Sequence, residues 1–270
     1  MIVLCDLDGT LIDKNYRLTI ESQKAAQSID EFQNRGHFVG IISDTPRVTL
    51  ENWSRKLAMK GPICAECGAE IVWPTRKYRK ILIPDVMPVV RKIREKVIGQ
   101  LLKEFPGCGI IIGDINHLAL NPNLARLPNR PLILINGLRR YSFSLFVRGE
   151  KSQEDQTSVF RRVVKIIQEA ADSLSSLGRW DYTADERFYF VSLLPKTLEG
   201  KKSAIRMLRS SFSDKIVVIG DSYRDYIADK GVLQVAVENA EEAYKGVCDL
   251  VCTQPYTQGV IEALQILGKR

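Results

Sequence analysis

The sequence predicts an α/β fold: a parallel sheet between layers of helices, interrupted by an inserted α+β domain. Three observations predict it. At both ends of the chain, short apolar runs alternate with amphipathic helical stretches, the rhythm of parallel crossover units. The first run, at the N-terminus, is apolar almost without a break, as in a strand buried on both faces. In the middle of the chain the alternation stops, and two long helical stretches lie among several strand-like runs.

Residues 2–7 form the first expected strand. A helix follows from about Thr19, a candidate N-cap, with Ala25, Ile29 and Phe32 on one face and Gly36 where a C-cap belongs. Residues 38–42 make the next strand, Pro46 opens a second helix as a favourable first-turn residue, and residues 62–65 make a third short strand. The C-terminal part repeats the pattern. It reads as a helix over 203–212, a strand over 215–219 ending in Gly220-Asp221, a helix over 223–230 and a strand over 233–237. A helix starting at 241–244, a short apolar pair at 250–251 and a last helix over 258–267 complete it. Between these halves lie helices over 86–105 and 157–177, with strands over 109–112, 132–135, 141–147 and 188–194. Pro74, Pro84 and Pro195 stand near the edges of this block, which assigns residues 1–75 and 196–270 to the core and 76–195 to the inserted domain.

Composition bounds the function classes. The chain has 270 residues, 45% of them hydrophobic and 26% charged, enough for a substantial core. No apolar run reaches the roughly 18–20 residues that span a bilayer, and the N-terminus lacks the basic start of a signal peptide. A cytoplasmic protein with no membrane association is expected. The formal charge of +7 favours anionic partners. Its basic residues are spread out, with no basic tract interleaved with aromatics, which argues for small anions and against nucleic acid. Six cysteines are too sparse for a disulfide framework, and they read as small buried hydrophobes. Cys64-x-x-Cys67 with Cys248-x-x-x-Cys252 is a loose alternative as a zinc site.

The candidate chemistry lies at strand ends, where parallel sheets bind ligands. Asp6-Leu7-Asp8-Gly9-Thr10 closes the first strand. Residues two apart share a strand face, so Asp6 and Asp8 aim at one place, where one carboxylate can attack and the other transfer a proton. Gly220-Asp221-Ser222 and Asp225 put a second acidic cluster at a second strand end, with oxygen ligands of the kind Mg²⁺ takes; a simple Gly-Asp turn is the competing reading. Ser43 and Asp44 end the second strand, placed either to hold phosphate oxygens or to cap a helix with Thr45. Lys201 and Lys202 open a helix, where a cation suits a transferring phosphoryl group better than it suits the helix dipole. Gly113-Asp114 reads as a turn, and Arg139, Arg140 and Arg148 as surface residues or contacts for a second anionic group. His37 and His117 are the only histidines and neither is near a motif, which argues against imidazole-based catalysis or a His-rich metal site.

Taken together, these places resemble the haloacid dehalogenase-like phosphatase superfamily. Asp6-Leu7-Asp8-Gly9-Thr10 is similar to its first motif, Ser43 to its hydroxyl motif, Lys201 in Lys201-Lys202-Ser203-Ala204 to its basic motif, and Gly220-Asp221-Ser222-x-x-Asp225 to its acidic motif. Glu66-Cys67-Gly68-Ala69, Val237-Glu238-Asn239-Ala240 and Gly259-Val260 resemble features of the subgroup with a large cap, which includes Cof-type sugar phosphatases, sucrose-phosphate, mannosyl-3-phosphoglycerate and archaeal phosphoglycolate phosphatases, and phosphomannomutases. The resemblance implies a Rossmann-like three-layer core and an inserted α+β cap domain. It also implies a small phosphorylated substrate, Asp6 as nucleophile and Asp8 as acid and base. Asp6, the Asp8 carbonyl, Asp221 and Asp225 are implied around Mg²⁺, and Ser43 and Lys201 on the phosphoryl oxygens. A phosphomutase or a non-catalytic phosphosugar-binding protein is the alternative. Arg224 and Cys67 depart from the usual Asn, and Ser43-Asp44-Thr45 from the usual Thr-Gly-Arg. These departures bear on substrate preference more than on chemistry.

Overall fold

The computed structural model describes residues 1–114, 131–148, 153–186 and 189–269. The chain divides into two compact units, one of Met1–Leu82 with Glu199–Arg270 and one of Ile83–Leu198. In chain order the first unit opens with β1 (Ile2–Cys5), α1 (Ser22–Gln33), β2 (Phe38–Ile42), α2 (Arg47–Lys56), β3 (Ile63–Ala65), β4 (Glu70–Trp73) and β5 (Tyr78–Ile81). The second unit holds α3 (Val86–Glu104), β6 (Gly109–Gly113), β7 (Leu132–Asn136), β8 (Phe143–Arg148), α4 (Gln153–Asp172), β9 (Trp180–Asp185) and β10 (Phe190–Pro195). The chain then returns with α5 (Lys201–Ser211), β11 (Ile216–Gly220), β12 (Val232–Ala236), α6 (Glu242–Lys245), β13 (Leu250–Val251) and α7 (Tyr256–Leu267).

The first unit is built on an eight-stranded sheet of order β13-β12-β11-β1-β2-β3-β4-β5. Pairing is parallel from β13 through β3. All four side chains of β1 are buried because both faces of the sheet are covered. Val3 and Cys5 face a core shared with α1, α2 and α7, through Ala25, Ile29, Leu50, Val260 and Leu264. Ile2 and Leu4 face the opposite core, with Ala204, Ile205 and Leu208 of α5. Each such large apolar side chain contributes about 1.5–3 kcal/mol relative to its exposure. The chain runs from β1 to β2 and β3 on one side and later to β11, β12 and β13 on the other. The order of strands therefore reverses between β1 and β11, the switch point where α/β sheets open a crevice beyond their carboxyl ends.

The sheet is not wholly parallel. β4 pairs antiparallel with β3, and β5 with β4, so that residues 76–82 stay with the first unit. The sequence boundary at 75 misses this hairpin because Pro74 opens a short turn inside it instead of a linker. On the return side the unit resumes at Glu199, three residues later than the proline signal places it. Two helix expectations also change. Helix α1 starts at Ser22, later than expected, and the Thr19 N–H donates to the Thr257 hydroxyl at 3.0 Å. Residues 223–230 hold only one 3₁₀ turn, Tyr223–Asp225. The Gln234 side chain bonds both the N–H (3.5 Å) and the carbonyl (3.2 Å) of Ile227, taking the place of helical partners.

The second unit carries a five-stranded sheet of order β6-β7-β8-β10-β9, with only β6 and β7 parallel. Phe143, Leu145 and Val147 of β8 face α3 and α4, packing with Val97, Leu101, Phe160 and Ile167. Strand β9 is not apparent in the sequence, since its exposed edge tolerates Asp181 and Tyr182. His117 and residue 188 lie outside the described residues, as does the chain just beyond Gly113-Asp114. Among the described residues no helix is long and apolar enough to cross a membrane.

Candidate active site

The site is built by β1, β2 and β11 with α5, all in the first unit. The β1 ladder continues one residue beyond the strand, where the Asp6 N–H donates to the Ile219 carbonyl at 2.9 Å. Asp6 is thereby held in extended register and is 8% exposed. The chain then turns sharply. The Leu11 and Ile12 N–H groups both return to the Leu7 carbonyl, and Gly9 takes φ +83. A Cβ on Gly9 would lie 2.4 Å from Asp221 Oδ2, so only glycine lets the first acidic loop approach the second this closely. Thr10, fully buried, donates its hydroxyl to Asp221 Oδ1 at 2.9 Å.

The second loop is organised by Asp225, which is 1% exposed. Its Oδ2 accepts from the Asp221 N–H (3.0 Å), the Ser222 N–H (3.2 Å) and the Ser222 hydroxyl (3.4 Å). Its Oδ1 is paired with the Lys201 ammonium. Lys201 lies in the first turn of α5, its side chain only 10% exposed, and also contacts Asp6 Oδ1 at 2.5 Å. The ammonium thus bridges a carboxylate from each loop. Asp6, Asp221 and Asp225 each present an oxygen within 4.8 Å of the others, the sole group of this kind among the described residues. The cysteines form no such cluster there, which removes the four-thiolate alternative.

Electrostatics follow from this crowding. Burial alone would lower the Lys201 ammonium, but Asp6 and Asp225 outweigh it and raise it. Burial pushes the Asp6 carboxyl well above the usual carboxylate range; Lys201 pulls against this, while Asp225 and Asp221 add to it. The two directions oppose each other, since the first favours a charged pair and the second a neutral acid. The 2.5 Å contact favours the ion pair, because a buried ammonium stripped of counter-charge is costly. Burial, then the charge of Asp225, pushes Asp221 up to about 6, against the Thr10 hydrogen bond. Asp8 is pushed up to about 7 by surrounding protein and by Asp44, against the Thr45 hydroxyl that donates to its Oδ2 at 3.3 Å. Its surface is open to solvent, so water softens that rise without reversing it.

The sequence-predicted residues separate into groups. Asp6, Lys201, Asp221 and Asp225 come together directly. Asp8 stands beside them, bonded to Thr45 of the loop after β2. In that loop Ser43 is buried, and its Oγ accepts the Thr45 N–H at 3.2 Å. The N-cap position of helix α2 is Pro46, which has no side-chain cap bond. Arg139 and Arg148 lie in the second unit. Arg139 is 6% exposed and donates to the Ser142 hydroxyl, contrary to a surface role, and Arg148 stacks on Phe146. Thr10 and Thr45 bond the acidic residues, a role that the sequence does not assign to either. Thr10 is within the Asp-x-Asp-Gly-Thr signal, while for Thr45, a candidate cap in the sequence, the bond to Asp8 is seen only in the structure.

An α/β core with an acidic centre at its switch point defines a Rossmann-like enzyme fold. The chain belongs to the haloacid dehalogenase-like hydrolase family, whose model matches residues 3–264. A phosphoglycolate phosphatase of Staphylothermus marinus is 22% identical over 276 aligned positions, covering 98% of this chain and 96% of the relative. Among solved structures, a haloacid dehalogenase-like hydrolase of Bacteroides thetaiotaomicron superposes with a TM-score of 0.66 at 17% identity, over 98% of each chain. A Thermoplasma acidophilum protein superposes with a TM-score of 0.63 at 19% identity, over 99% of this chain and 97% of that one. These superpositions show the fold.

Proposed function

We propose that this hydrolase is a Mg²⁺-dependent phosphatase acting on a small phosphorylated metabolite through an aspartyl phosphate on Asp6. The observation that carries the reading is the Asp6 carboxylate at the end of β1, paired at 2.5 Å with a nearly buried Lys201 and with Asp8 two residues along the chain. The name of the Staphylothermus relative and the family support a phosphate ester as substrate, among them phosphoglycolate, sugar phosphates and phosphoglycerate derivatives.

Asp6 attacks phosphorus while Asp8 gives its proton to the leaving oxygen. Burial and the neighbouring Asp44 charge raise the Asp8 carboxyl above the usual carboxylate range, which favours the protonated form that the step needs. Asp8, now ionised, then takes a proton from water, whose oxygen attacks the phosphorus of the aspartyl phosphate and restores Asp6. The Thr45 hydroxyl orients Asp8. Lys201 offsets charge on the phosphoryl oxygens. The Ser43 hydroxyl accepts the Thr45 N–H and retains its own proton to donate to them.

The donor set fits a hard cation. Three carboxylates converge and the glycine at position 9 leaves Asp221 room, as the oxygen ligands of Mg²⁺ require. Asp6, Asp221 and the Asp8 carbonyl are the groups that would hold it. Asp225 already has both oxygens engaged, and it supports the centre through Lys201 and the Asp221 backbone. When bound, Mg²⁺ reduces the repulsion between a carboxylate nucleophile and an anionic ester. We assign the inserted unit the role of a cap that selects the leaving group. Free thiols at Cys5, Cys64, Cys108, Cys248 and Cys252 fit a reducing, cytoplasmic compartment.

A screen of phosphoglycolate, sugar phosphates and phosphoglycerate derivatives, with Mg²⁺ or with EDTA, tests the reading. Phosphate release that needs Mg²⁺ and vanishes in Asp6→Asn is expected. Unchanged turnover in Asp6→Asn would overturn it. A phosphomutase would instead isomerise a sugar phosphate without releasing free phosphate.

A further inference from the structure

The turn that follows β12, residues 237–241, touches both acidic loops. On one side the Val237 N–H donates to the Gly220 carbonyl (3.2 Å) and the Glu241 N–H to the Asp221 carbonyl (2.8 Å). The Glu241 carboxylate accepts the Tyr223 N–H at 3.0 Å. On the other side the Asn239 amide donates to the Gly9 carbonyl at 2.8 Å. Its Oδ1 accepts the Tyr256 N–H at 2.9 Å, at the start of α7. Tyr256 has φ +49, a left-handed conformation rarely taken by a non-glycine residue. A strained residue of this kind persists where its surroundings over-determine it. The surroundings here are specific. Gly259 lets α7 approach closely, since a Cβ there would lie 2.2 Å from the Gln254 carbonyl oxygen. Thr257, fully buried, donates to the Leu11 carbonyl at 2.7 Å and accepts the Thr19 N–H at 3.0 Å.

From these contacts we infer that Asn239 is a positioning residue that sets the spacing between the two acid-bearing loops. It is the side chain through which the 237–241 turn, already fastened to the Asp221 loop by backbone, grips the Asp6–Thr10 loop. Gly9, whose carbonyl it holds, is also the residue pressed against the Asp221 carboxylate. Loss of the amide donor frees the Gly9 peptide to move away from Asp221. The distance between Asp6 and Asp221, and with it the metal site, then loosens without any change in the carboxylates themselves. The inference rests on the phosphatase reading for its effect on turnover, and on geometry alone for its effect on metal affinity.

Two variants of the full chain separate the bonds. Asn239→Ala removes both. Asn239→Asp retains an oxygen for the Tyr256 N–H and replaces the donor to Gly9 by an acceptor that repels its carbonyl. For each, p-nitrophenyl phosphate turnover, Mg²⁺ binding by calorimetry and thermal melting are compared with wild type. Both variants are expected to lose about 10–100-fold in kcat with KM little changed, and about 10-fold in Mg²⁺ affinity. Asn239→Asp, which keeps the Tyr256 bond, is expected to show the loss of kcat and affinity whatever its melting temperature. Wild-type kcat and Mg²⁺ affinity in Asn239→Asp would overturn the inference. So would a lower melting temperature in both variants with kcat and affinity intact, since that is the mark of a merely structural contact. If the wild type hydrolyses no phosphate ester, the phosphatase reading fails, and the calorimetric comparison still decides the role of Asn239.

Discussion

The two acidic loops at the switch point differ in how fully their carboxylates are bonded. After β11, Asp225 is buried and the more heavily bonded, with three donors on one oxygen and an ammonium on the other. After β1, Asp6 has the Lys201 contact and Asp8 a single long bond from Thr45. The difference separates support from reaction. A carboxylate held by four donors fixes its surroundings, whereas one with fewer partners has more capacity to attack an electrophile or carry a proton.

The comparison breaks first at Asp6. Asp6→Asn is expected to lower turnover by about 10⁴-fold or more, as when a nucleophile is removed elsewhere, with folding intact by circular dichroism. Asp8→Asn is expected to cost about 10²–10⁴-fold in kcat and to abolish the pH dependence assigned to its proton transfer, read from a pH–rate profile. Asp225→Ala acts on the other kind of carboxylate. It leaves Lys201 with one buried partner and strips three donors, so a stability loss of about 3–5 kcal/mol is expected in urea unfolding. Equal loss of stability in Asp6→Asn and Asp225→Ala would remove the distinction between the loops. Thr45→Val is expected to be milder, a loss near 1 kcal/mol in transition-state stabilisation from one hydrogen bond, measured as kcat/KM.

The smallest effect concerns pH. The folded-state carboxyl of Asp221 is raised to about 6 and that of Asp8 to about 7. A raised carboxyl binds protons more tightly in the folded than in the unfolded chain. Its contribution is therefore greatest below the unfolded value of about 4 and declines as pH rises through the folded one. In EDTA the melting temperature is expected to fall by a few degrees between pH 5 and pH 8. Asp221→Asn is expected to flatten that decline, as is added Mg²⁺. A decline of the same size in Asp221→Asn would show that Asp221 does not titrate as the geometry implies.

Local patterns carried much of this. The unbroken apolar run of β1 and its neighbours made the parallel sheet legible, because burial on both faces leaves no place for polar residues. Asp6, Asp8, Asp221 and Asp225 were legible because they follow such strands, and backbone geometry alone brings the carboxyl ends of parallel strands together. The hairpin of β4 and β5 was less legible. Its outer strand is half exposed, with Arg79 and Lys80 in the run, and so lacks the apolar signal. The single turn at Tyr223–Asp225 was read as a helix because its helical partners are displaced by a distant side chain, Gln234.

By itself, then, the sequence determined the sheet, the strand ends and the acidic residues on them, since periodicity and turn chemistry act over a few neighbouring positions. Only the tertiary structure decided which carboxylate is heavily bonded and which has fewer partners. That division rests on bonds between residues far apart in the chain: Lys201 with Asp6, Thr10 with Asp221, Thr45 with Asp8 and Asn239 with Gly9. Such bonds depend on distances set by packing, which no local pattern encodes.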